Sequence, residues 1–252
     1  MAWLRRAKNA PAETVEPVSL DVEFDPQVLD GALGQLFDDL DAEGGVERYV
    51  AAMKLKSELF GRLLSRDQID ALDAEGRDAL LERIFPVRRR LAPAVRKLGV
   101  DGFRDAAKEL LYGKGDLAER MAAFEAKIPA EGKARRTMRD LTAELLHFTD
   151  PERYPLMARW VWDPRTDSGA LRELVYRADQ IDKLPVGGEP GVYEALRQWV
   201  VEQLEANHFY RDLTFMTDLV LAQIYGLYIK ATAESFLRTD FGGGGGEEPA
   251  EH

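Results

Sequence analysis

Leu219 to Ile229 narrows what this chain can fold into more than any other stretch. It reads LVLAQIYGLYI, and Gln223 is its only strongly polar side chain. Wound at 3.6 residues per turn, such a run is apolar around its whole circumference and has no face to offer water. It has to be enclosed by other helices or shared with a partner molecule. Asp218 and Lys230 bracket it, so it falls short of the roughly 20 apolar residues that a membrane span needs. A central core helix is the first reading and a shared interface the second.

The rest of the chain supplies helices to enclose it. Asp25-Pro26 is a good helix start, a capping carboxylate followed by a proline at the first helical position, and Val28, Leu29, Leu33, Leu36, Phe37 and Leu40 recur at helical spacing. Gly44-Gly45 breaks that helix, and Val46 to Leu64 reads as the next. Short helices follow from Ile69 to Phe85, ended by Pro86, and a basic segment runs from Val87 to Leu98. Further helices are predicted over Asp101 to Tyr112, Asp116 to Ile128, Gly132 to His147, Ser168 to Ala178, Val192 to Asn207 and Leu213 to Leu237.

No segment shows the period-two alternation of a half-buried strand. The prediction is an all-α, multi-helix globular array of about ten helices with no sheet. Pro11 and Pro17 among small and acidic residues set 1–24 apart as a flexible N-terminal arm, in which Trp3 and Leu4 beside Arg5, Arg6 and Lys8 form a short amphipathic stretch. Residues 25–240 form the all-α domain, divisible into two subdomains meeting near 113–131, and 241–252 form a flexible Gly/Glu-rich tail.

There are 34 basic and 45 acidic residues, giving a net charge of −11. Long-range repulsion then opposes nucleic acid and anionic membranes unless basic residues gather on one face. Two such clusters exist. One is Arg88, Arg89, Arg90, Arg96 and Lys97; the other is Lys133, Arg135, Arg136 and Arg139. The absence of cysteine excludes disulfides, thiolate metal sites and cysteine nucleophiles, and fits a cytoplasmic protein.

Catalytic patterns are not apparent. The histidines are His147, His208 and His252, and no two lie at metal-ligand spacing on one helix face. His147 with Asp150 and Glu152 would have to converge from a helix end and the turn after it, so a hydrogen-bonded structural histidine is the preferred reading. No serine sits in a G-x-S-x-G turn, and Gly113-Lys114-Gly115 completes no phosphate-binding motif. No catalytic residue, cofactor or metal is expected.

One corner is unusual. Glu144 to Asp163, ELLHFTDPERYPLMARWVWD, gathers two of the four tryptophans, a histidine and two prolines. Tyr154, Arg159, Trp160 and Trp162 are the side-chain types that dominate protein interfaces, which makes them the candidate contact residues. Read from Ile128 to Trp162, the region resembles the helix-hairpin-helix DNA glycosylases. Ile128, Pro129 and Gly132 would be the hairpin, Leu145 to Phe148 the helix end, Asp150-Pro151 the turn and Tyr154-Pro155 the start of a further helix. Ala130 stands where that family has glycine, and about six extra residues precede the helix end. The family's catalytic aspartate falls on Met157, which cannot activate water, and Lys133 lies one position out of register with the lysine some members use.

The resemblance thus implies a fold without the activity. The expectation is a non-catalytic accessory or interaction subunit, a soluble all-α protein binding another protein or itself. The alternative is a degenerate glycosylase-like nucleic-acid binder using Lys133, Arg135, Arg136 and Arg139.

Overall fold

In the computed structural model, residues 14–184 and 187–241 are described, with side chains as far as 235. The arm's Trp3 and Leu4, His252 and the tail from 242 lie outside them. The described residues form α1 (Pro26–Asp41), α2 (Gly45–Leu64), α3 (Ala74–Glu82), α4 (Phe85–Arg90), α5 (Ala92–Lys97), α6 (Gly99–Tyr112), α7 (Leu117–Lys127), α8 (Gly132–Arg136), α9 (Met138–Thr149), α10 (Ala170–Leu174), α11 (Pro190–Ala206) and α12 (Leu213–Phe241). Two 3₁₀ turns, Ile69–Ala71 and Ala178–Lys183, complete the set. The class is all-α: the only β pairing among the described residues is two isolated bridges, Phe24 with Val175 and Asp163 with Ser168.

Several boundaries follow local chemistry. Asp25 caps α1 by accepting the Gln27 amide at 2.8 Å, and Asp116 caps α7 by accepting the amides of Ala118 and Glu119. The helix expected from Gly132 to His147 is broken at Thr137, whose hydroxyl donates to the Lys133 carbonyl at 3.3 Å while its amide closes on Ala134. Only the short α10 forms in the stretch expected as Ser168 to Ala178. Beyond it the chain turns to pair with residues 23–25: Asp25 N donates to Leu174 O and Tyr176 N to Glu23 O. Residues 14–24, read above as part of the arm, run extended over the helices, with Val15, Val18, Leu20 and Val22 packed against the core.

Two helices act as hubs. α9 is the most enclosed, with Met138, Leu141, Ala143, Leu145, Leu146 and Phe148 buried against α2, α4, α6 and α7. α12 packs against α1, α2, α10 and α11, but only its first half is enclosed. Phe215, Met216, Val220, Leu221 and Ile224 are buried, Tyr225 and Leu227 are partly buried against the core, and from Ile229, 46% exposed, the side chains face outward. The apolar run read from the sequence is therefore divided, its start in the core and its end at the surface.

His147 of α9 and Asp218 of α12 join the hubs. The imidazole is fully buried; Nδ1–H donates to Tyr154 O at 2.8 Å, and Nε2 lies 2.8 Å from the Asp218 carboxylate. That second contact is off the hydrogen-bond axis, so charge rather than an aligned hydrogen bond holds it. Burial opposes the imidazolium, but the Asp218 charge and the carbonyl of Tyr154 outweigh it, and the pKa is raised above the ordinary histidine value.

From Asp150 to Gly169 the backbone is irregular yet buried across 154–158 and 161–162. No helix begins at Tyr154-Pro155. Side chains from distant helices satisfy the carbonyls instead: Arg139 donates to Met157 O, His147 to Tyr154 O, and Arg197 to Pro151 O and Glu152 O. An irregular segment can be buried only on these terms, since unpaired polar backbone is costly away from water.

Candidate functional site

This buried loop forms one wall of a cleft of about 520 Å³. Five arginines line it: Arg135 and Arg136 from α8, Arg139 from α9, and Arg159 and Arg165 from the loop. Trp162, Tyr193, Glu125, Asp163 and Gly188 share the lining. In a chain of net charge −11, so many guanidinium groups around one cavity is a strong local reversal of sign.

The arginines do different work. Arg139 is a clamp: its Nε donates to Met157 O at 3.1 Å, its Nη2 to Gly188 O at 2.6 Å, and the guanidinium lies over the Tyr193 ring. Arg159 is matched by the buried Asp140, which accepts from its Nε and Nη2 and from its backbone amide. Burial opposes its charge, but Asp140 outweighs that cost and raises the guanidinium pKa. Arg135, Arg136 and Arg165 form no ion pair among the described residues. All three are exposed.

Arg165 sits on a tight turn. Asp163 and Ser168 bond to each other through their backbones, and Asp163 Oδ1 accepts the Arg165 amide at 3.1 Å. Gly169 makes the return possible: its φ is +125°, and a Cβ there would lie 2.6 Å from Val161 O. With that room, Ala170 N reaches Trp160 O and Leu171 N reaches Val161 O, both at 2.9 Å. The turn is thereby fixed beside Trp162, whose carbonyl accepts the Tyr193 hydroxyl at 2.7 Å and whose indole N–H has no partner among the described residues.

Two carboxyls temper the charge. Asp163 is occupied by its own turn, and Glu125 lies within 3.5 Å of the Thr142 hydroxyl. Burial pushes the Glu125 carboxyl up from its usual range, against the pull of Arg139, Thr142, Arg135 and Arg165. The cleft therefore presents chiefly hydrogen-bond donors and positive charge, an arrangement suited to holding an anion.

The structure brings Arg135, Arg136, Arg139, Arg159 and Trp162 together, residues that the sequence divided between two candidate sites. Lys133 is exposed on α8 but does not line the cleft. Tyr154 and Trp162 are core side chains, 2% and 1% exposed, so they offer a partner almost no contact area. Trp160 is half-buried and stacks obliquely on Tyr225, 6.4 Å between centroids. Met157 is fully buried. In the first basic cluster Arg96 is paired with Asp78 and Glu82, while Arg88, Arg89 and Arg90 remain on the exposed side of α4.

Arg165, Glu125 and Tyr193 were not singled out in the sequence. Pro164-Arg165 marks a turn carrying a charge, but nothing local aims it at α8. Among the described residues no group of three or more His, Asp or Glu side chains is placed to hold a metal ion, and no helix is long and apolar enough to cross a membrane. Comparison with family models, curated proteins and solved structures finds no match.

Proposed function

We propose that this is a binding protein without chemistry of its own, which captures an anionic segment of a partner protein in the arginine cleft. One observation carries the reading: Arg135, Arg136 and Arg165 surround a cleft of about 520 Å³ with no carboxylate paired to any of them among the described residues. Arginines free of intramolecular partners retain their donors for a ligand, and planar forks match carboxylate and phosphate oxygens. Arg139 and Arg159, tied to Met157 O, Gly188 O and Asp140, hold the walls in place. A cytoplasmic location belongs to this reading and accords with the lack of cysteine.

Titration calorimetry with a short peptide rich in acidic residues tests it. The wild-type protein is expected to bind, and a triple Arg135→Ala, Arg136→Ala, Arg165→Ala variant with an unchanged circular dichroism spectrum is expected to lose at least tenfold in affinity. Equal affinity of the two proteins would remove the cleft from the argument.

A second reading, nucleic-acid binding, is favoured by exposed Lys133 standing beside Arg135 and Arg136 on α8. It requires an affinity for DNA or RNA that falls steeply with added salt. Arg139 is spent on backbone carbonyls, and Glu125 and Asp163 interrupt the basic surface. These features weigh toward a compact anionic group over a continuous phosphate backbone.

A further inference from the structure

We infer that the cleft selects a phosphate monoester, carried on a phosphorylated residue of the partner protein, over the carboxylate of an unmodified acidic residue. This rests on the reading of the cleft as an anion site and specifies which anion.

The charge balance is the first argument. Of the five arginines, Arg159 is neutralised by Asp140, and Asp163 offsets one more. Two positive charges remain if Glu125 is ionised, and three if it carries a proton. A glutamate or aspartate side chain supplies a single negative charge, whereas a phosphate monoester supplies nearly two at neutral pH. The dianion therefore leaves less uncompensated charge in the cleft.

The donor set is the second. Arg135 and Arg136 come from one wall and Arg165 from the turn opposite in sequence, each with N–H groups unspent on ion pairs. A carboxylate has two oxygens to offer these groups, and a phosphate monoester has three terminal ones.

Size is the third. A cleft of about 520 Å³ is far larger than a phosphate group, and so holds the modified side chain with its neighbouring peptide. The remaining lining, Pro164, Thr166, Gly188 and the Tyr193 ring, is neutral and suits flanking residues of no particular charge.

The test uses three peptides of otherwise uncharged sequence that differ at one position, carrying phosphoserine, glutamate or serine, with inorganic phosphate as a fourth probe. Binding to the full chain is measured by calorimetry. The phosphoserine peptide is expected to bind at least tenfold more tightly than the glutamate peptide, and inorganic phosphate to compete with it. The serine peptide should not bind. Arg165→Ala is expected to reduce phosphopeptide affinity at least tenfold, and Arg165→Lys to restore only part of it, because the charge returns without the fork. Equal binding of the phosphoserine and glutamate peptides overturns the phosphate inference but leaves the anion site standing. If no probe binds, and the acidic peptide described above does not bind either, both fail together. Phosphopeptide binding that survives both Arg165→Ala and the triple arginine variant places the phosphate elsewhere and overturns the inference.

Discussion

Asp218→Asn tests the buried link between the two hub helices. In the wild type, His147 gives one proton to Tyr154 O and holds Nε2 beside the Asp218 carboxylate, both at 2.8 Å, with the imidazole fully buried. Removing one member of a buried charge pair costs about 3–5 kcal/mol, because the remaining charge has lost its partner and cannot reach water. For a chain of this size that corresponds to a fall of about 6–20 °C in Tm. The pH dependence is more diagnostic than the size. The folded-state pKa of His147 is raised, so its contribution is complete below the ordinary histidine value and is lost as pH rises through the raised one. In Asp218→Asn burial is opposed only by the Tyr154 carbonyl, and burial favours the neutral form. The stability gap between wild type and variant should therefore be widest in mild acid and shrink in alkaline solution. Urea denaturation followed by far-UV circular dichroism from about pH 5.5 to pH 9 measures it. A gap that is constant over that range would show that His147 is not charged in the fold, and the electrostatic account would be abandoned.

Other outcomes follow from the same structure. Gly169→Ala should lose about 1–3 kcal/mol, since φ +125° is strained for alanine and its Cβ would meet Val161 O, and tryptophan fluorescence should report a disturbed Trp162. Arg139→Met should cost about 1–3 kcal/mol by removing the Arg139 donors from both Met157 O and Gly188 O, as measured by thermal unfolding. Burial pushes the Tyr112 hydroxyl up to about 12, and that hydroxyl donates to Leu64 O at 2.6 Å. Ultraviolet titration of wild type against Tyr112→Phe should show one phenol ionising near that value, with stability declining as pH climbs from about 10 toward it.

Helices with a local cause were legible in the sequence. The Asp25 and Asp116 caps and the apolar spacing of α1 place those elements without any knowledge of the fold. The segment after Asp150 was not legible, and the reason is physical. Its carbonyls are satisfied by Arg139, His147 and Arg197, partners 7 to 46 residues away. A local reading of Tyr154-Pro155 sees only a helix start and cannot see those anchors. The cleft suffered the same limit: four of its arginines were visible as candidates, but their convergence depends on the Asp163 to Ser168 turn bringing Arg165 round. The run from Leu219 to Ile229 shows the converse limit. Its composition announces that it needs cover, and only the packing shows that the cover ends near Tyr228.

The anchoring of the Asp150 to Gly169 loop also bears on time. Arg139 and His147 belong to α9 and Arg197 to α11, so the loop can be secured only after those helices have assembled, late on the path from the unfolded chain. Contacts made late are absent from the folding transition state and act on the barrier to unfolding. Weakening an anchor should leave refolding rates nearly unchanged while unfolding quickens. The persistence of the arginine cleft, once made, is then set in large part by a few side chains gripping carbonyls of an irregular backbone.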